Sequence, residues 1–153
     1  MCVLRVGGSE FDVDALLATS SFEAIRIHRK GELRFVAKPD GPRKQGSGFN
    51  VDVSLKAWSD LPGQIDDARA FLSEFEAELL RLKSFPGVGA QLDFPMNLRI
   101  GTKNIAVQSD RLPADRLLLA GRLGVDIVMT IYPPSSGRAG ETTFAGGHDD
   151  ATD

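Results

Sequence analysis

Every second residue is apolar in Phe49-Asn50-Val51-Asp52-Val53-Ser54-Leu55, and again in Leu92-Asp93-Phe94-Pro95-Met96-Asn97-Leu98-Arg99-Ile100, with mostly polar residues between. Successive side chains of a strand point to opposite faces, so each run describes a strand with one buried face and one wet face. Two such strands call for a sheet covered on one side only. A chain of 153 residues is of single-domain size and buries enough surface for a core without staples. The uncovered face is then the first place to look for function.

The same periodicities order the rest of the chain. Strands are predicted at Cys2–Val6, at Glu23–Arg29 with Ile25 and Ile27 inward and Arg26 and His28 outward, and at Val125–Tyr132. In the last of these, apolar Val128 between Ile127 and Met129 points to a central strand with both faces covered. Leu33–Ala37 reads as a return strand, and Ile105–Gln108 as the second arm of a hairpin after Ile100. Asp12 is placed to cap a short helix that ends near Thr19. Ile65, Ala68, Leu72, Phe75, Leu79 and Leu82 recur at spacings of three and four, which predicts one helix of about 20 residues from Pro62. Pro113 opens a third helix, closed by Arg122 and Gly124.

This order predicts an α+β fold in two layers, with helices on one face of a mostly antiparallel sheet and ferredoxin-like, split βαβ elements. The domain is expected over residues 1–134, followed by a flexible C-terminal tail over 135–153 that is rich in Gly, Ser, Thr and Asp. A dinucleotide-binding reading fails because neither Gly7-Gly8 nor Gly87-Val88-Gly89 completes G-x-G-x-x-G between a strand and a helix.

Leu4-Arg5-Val6-Gly7-Gly8-Ser9-Glu10-Phe11-Asp12-Val13-Asp14-Ala15-Leu16-Leu17, then Arg29-Lys30-Gly31-Glu32, then Gly48-Phe49-Asn50-Val51, form a pattern that resembles the bacterial domain of unknown function 4279 family. The likeness covers the first third of the chain, and the remainder by element order. The chain departs from the family pattern at Val13, where proline is common, and at Phe49, where tryptophan is usual. The resemblance implies a small α+β domain without established catalysis, some of whose relatives are regarded as immunity or partner-binding proteins. It supplies no site residues.

Charge is distributed unevenly. Residues 26–44 carry a local balance of +5 within a chain of net charge -3, so a cationic loop sits on an acidic body and can attract anionic partners. The single cysteine, Cys2, makes an intramolecular disulfide impossible. No signal-like or membrane-spanning apolar run occurs, so a cytoplasmic protein with no membrane association is expected.

Catalytic patterns are sparse: His28 has no nucleophile motif beside it, and His148-Asp149-Asp150 is a metal-ligand set in composition only. No catalytic residue, metal or cofactor is assigned. The outward strand positions recognised (Arg26, His28, Asp52, Ser54, Asp93, Asn97 and Arg99) include no aromatic, which disfavours base stacking and nucleic acid. The reading is a non-enzymatic protein-interaction module binding a protein partner or itself. Its alternative is a small-molecule-binding domain or enzyme for an anionic ligand, with Arg26, His28, Lys30 and Arg99 as binding groups.

Overall fold

The computed structural model describes residues 1–35, 37–101 and 105–133. The expected tail over 135–153, with His148, lies outside them. The described residues form nine elements in the order β1 (Cys2–Gly8), α1 (Val13–Leu17), β2 (Arg26–His28), β3 (Ser47–Ser54), α2 (Leu61–Glu74), α3 (Glu76–Leu82), β4 (Val88–Asn97), α4 (Ala114–Leu123) and β5 (Val125–Tyr132). The fold is α+β. Its five strands lie in the order β2-β3-β1-β4-β5. The first four are antiparallel to each neighbour. Strands β1 and β2 are therefore parallel with β3 between them, which is the split βαβ arrangement. Strand β5 is added parallel to β4 through α4, as a helical crossover requires.

Local signals in the sequence account for the ends of the elements. The Asp12 carboxylate accepts from the Ala15 N–H at 3.0 Å, and Asp60 likewise caps α2 through Gly63. Pro62 sits in the first turn of α2, where its missing N–H has no partner to lose. Gly124 ends α4 in the left-handed region at φ 72°, a conformation open to glycine at little cost. Pro95 lies past Val3–Asp93, the last pair between β1 and β4, so it interrupts no β1 ladder bond.

The helices cover one face of the sheet. Leu4, Val6, Phe49, Val51, Leu92 and Phe94 project into a single core, joined from the helices by Leu16, Ile65, Leu72, Leu79 and Leu123. Removing a side chain such as Phe49 from water contributes about 1.5–3 kcal/mol. Phe49 also meets Phe11 and Phe22 in tilted ring contacts.

The structure corrects several expectations. Ile25 and Ile27 are 51% and 44% exposed. Ile27 does lie opposite buried Phe49, but β2 is a three-residue edge strand and the helix packing runs from β3 to β5. Strand β5 is an edge strand rather than a central one. Among the described residues of 33–37 there is one isolated bridge, Leu33 to Arg43, and 105–108 form no strand. The predicted long helix bends at Phe75, which ends α2 and precedes α3. Its ring is stacked on Phe22 and Phe71. Ser54 faces the helices instead of water. Cys2 pairs with Ser54 but Val3 pairs with Asp52, so Val53 is the extra residue of a bulge and the alternation inverts after it.

The two classes of position separate in a denaturation experiment. Phe49→Ala is expected to lower unfolding stability by about 3–5 kcal/mol, whereas Ile25→Ala should change it by no more than about 0.5 kcal/mol. Equal losses would contradict the exposed placement of Ile25.

Candidate functional site

The face of the sheet away from the helices is arranged in transverse rows by strand register. One row runs His28, Gly48, Gly7, Gly89 across β2, β3, β1 and β4. The next runs Arg26, Asn50, Arg5, Gln91, Asp126 across all five strands. Beyond it come Asp52, Val3, Asp93 and Val128. Three adjacent glycines leave a trough of bare backbone with the His28 ring at its end. A Cβ on Gly48 would stand 2.3 Å from the Val6 carbonyl oxygen and 3.0 Å from the His28 ring, so only glycine lets these strands and that imidazole approach.

Beside the trough, Arg5 donates to Asp93 at 2.5 Å, and the other oxygen of Asp93 accepts from the Thr130 hydroxyl at 2.5 Å. Asp93 is buried although it lies on the open face, and these two charge-assisted bonds offset its lost hydration. Asp52 has one buried carboxylate oxygen, Oδ1, without a hydrogen-bond partner among the described residues.

An aromatic pair closes the far end of the face. Trp58 stacks on Tyr132 with centroids 4.7 Å apart at 20°. The segment carrying Trp58 is held at its carbonyls: the Met1 ammonium donates to Lys56, and the buried Gln64 amide donates to Ala57 at 2.9 Å. The face is thus not free of aromatics, contrary to expectation.

The four anticipated binding residues do not converge. Arg26 and His28 share the open face two residues apart on β2. Arg26 lines a groove with Arg5, Asn50, Asp52 and Trp58. His28 lines a second groove with Arg5 and Asn50. Lys30 is drawn away to Glu10 at 2.5 Å. Arg99 lies beyond the end of β4, bonded to Asp110 at 2.7 Å. Arg5 and Tyr132 were legible from strand parity, since Arg5 alternates with Leu4 and Val6, and Tyr132 with Ile131. Trp58 carried no such signal because a loop places it.

His28 also lines a third groove, of about 360 Å³, against the cationic loop. Partial burial pulls its pKa below the ordinary 6.5, and the Lys44 ammonium lowers it further, while Glu32 acts in the opposite sense. The ring is therefore neutral at neutral pH. Cys2 offers no nucleophile, because burial pushes its thiol up to about 12. Among the described residues no group of three or more His, Cys, Asp or Glu is placed to hold a metal ion, and no helix is long and apolar enough to cross a membrane.

No protein-family model, curated protein or solved structure matches this chain.

The His28 shift fixes a sign for pH dependence. As pH falls through 6.5 the unfolded chain takes up its proton before the folded one, so this residue's share of stability is complete above 6.5 and is lost on acidification toward the lowered folded value. Lys44→Met is expected to raise the His28 pKa measured by proton NMR, without restoring it fully, because burial is the larger cause. An unchanged titration would show that Lys44 does not act on the ring.

Proposed function

We propose that the protein is a non-enzymatic interaction module that pairs with a second copy of itself along β5. The observation that carries this reading is the outer edge of β5, which no strand occupies among the described residues. Its eight residues, Val125-Asp126-Ile127-Val128-Met129-Thr130-Ile131-Tyr132, include one charge and no proline, and no bulge interrupts the pairing with β4. Edge strands are ordinarily guarded by lysine, proline, bulges or a covering element, and an unguarded edge is a template for strand addition. Ile131 on this edge is 53% exposed, and on neighbouring α4 Leu118 is 74% exposed and Leu117 also lies open. These side chains extend the edge with apolar surface of the kind that contacts between subunits cover.

Antiparallel pairing of two β5 strands suits the sequence. With a twofold axis at Val128 or Met129, Asp126 falls opposite the partner's Thr130 or the partner's Tyr132, so no like charges meet. The two sheets would then run on as one layer.

Light scattering coupled to gel filtration tests the assignment. Twice the chain mass is expected, falling to one chain mass in Leu118→Glu and in Ile131→Lys, both with unchanged far-UV circular dichroism. A single-chain mass through the high-micromolar range overturns self-pairing. So does a dimer that both variants leave intact.

A further inference from the structure

We infer that the groove between the cationic loop and the end of β1 is a binding site for a phosphate or diphosphate group. Arg34, Arg43 and Lys44 stand around it, with His28, Gln45 and Ser47, over the backbone of Gly7, Gly8 and Gly46. Among the described residues the lining holds three cations and no carboxylate. In a chain of net charge -3 this concentration makes the corner locally positive.

Local structure builds the site. The loop is fastened by backbone bonds from Gly31 to Lys44, from Lys44 to Glu32 and from Arg34 to Pro42. The Arg43 guanidinium donates to the Gly31 carbonyl at 2.8 Å. That bond uses one of its five donors, and the fork keeps the rest. Arg34 lies near the Phe35 ring, its guanidinium carbon 6.0 Å from the centroid, and no carboxylate pairs with it among the described residues. Lys44 is 3.8 Å from Glu32, a contact at the outer limit of an ion pair. Ser47 accepts from the Lys30 N–H at 3.1 Å and keeps its own hydroxyl proton to donate.

The glycines fix the floor. A Cβ on Gly46 would lie 2.4 Å from the Gly8 carbonyl oxygen, and one on Gly8 would lie 2.6 Å from that of Gly87. The loop can therefore lie this close to β1 only while position 46 is glycine, and the turn into β4 can lie this close to β1 only while position 8 is glycine. Guanidinium forks match the paired oxygens of a phosphate, and the lysine adds a point charge. A volume of about 360 Å³ is at the small end of small-molecule sites, which suits a phosphate-bearing metabolite better than a folded partner.

His28 reports occupancy directly. It faces Arg34, Arg43 and Lys44 in this groove, and Arg5 and Asp126 in the neighbouring one, with Glu32 also within electrostatic reach. A bound dianion adds negative charge beside a ring now held neutral, so its pKa must rise.

The site lies at the β2–β3 side of the sheet and β5 forms the opposite edge, so the two assignments fail separately. The test is titration of the full chain with inorganic pyrophosphate, followed by amide and histidine NMR. Saturable shifts at Gly7, Gly8, Gly46 and Ser47, an upward move of the His28 pKa and weakening by added salt are expected. Arg34→Ala, which keeps the Arg43 bond to Gly31, should weaken binding about tenfold, and Arg34→Ala with Arg43→Ala further. Leu118→Glu should leave it unchanged. Absence of saturable shifts up to about 10 mM pyrophosphate, or undiminished binding in the double variant, overturns the site. Tighter binding of hexaglutamate at the same resonances overturns its assignment to phosphate.

Discussion

Strand β1 is hydrogen-bonded on both edges, to β3 and to β4, and it divides its side chains between two environments. Cys2, Leu4 and Val6 enter the core, while Val3, Arg5 and Gly7 form the middle of the open face. Strands β3 and β4 are registered against this strand directly, and β2 and β5 through them. The glycine trough exists because Gly7 meets Gly48 on one side and Gly89 on the other. The polar row exists because Arg5 meets Asn50 and Gln91. A one-residue slip of β1 would exchange core for surface along its whole length. The buried row of Leu4, Val51 and Leu92 is therefore what holds the open face in its arrangement.

Two kinds of charge organisation coexist on this surface. Around Asp93 the charges are matched: Arg5 and Thr130 satisfy both carboxylate oxygens at short range. That local neutrality stabilises the strands and leaves little field for a ligand. In the loop that follows β2, Arg29, Lys30 and Lys44 have acidic partners, but Arg34 and Arg43 have backbone and aromatic neighbours rather than acids among the described residues. Most of the acidic residues that balance the chain lie outside this loop. A matched pair holds a sheet together, and an unmatched cluster keeps its capacity to bind.

Much of the fold was legible because its causes are local. Alternation marked β3 and β4, the three-four spacing marked α2 and α3, and Asp12, Pro62 and Gly124 marked the helix ends. What escaped depends on lateral neighbours. Ile25 and Ile27 have the composition of a buried strand, yet their exposure follows from where the helix layer stops. Val128 suggested a strand covered on both faces, whereas β5 is an edge whose open face is partly sheltered by its neighbours. The bend at Phe75 has no proline or glycine to announce it. Within the candidate site, Arg26 and His28 were found from parity and the cationic loop from charge. Lys30 was added for its charge and Arg99 from the parity of a strand that ends at Asn97, and each is engaged by an acid. The trough and the Trp58–Tyr132 pair could not be read, since both come from register and loop path.

The bulge at Val53 decides more than the pairing of one residue. Because β3 gains a residue there, Ser54 turns inward to Asp67 at 2.6 Å, and the chain leaves the sheet on a course that carries Trp58 to Tyr132. A strand with strict alternation would release the following segment in the opposite sense. The indole's location is thus counted out by chain length upstream of it, so a deletion at 53 would be felt at the far rim even though it removes no atom from there.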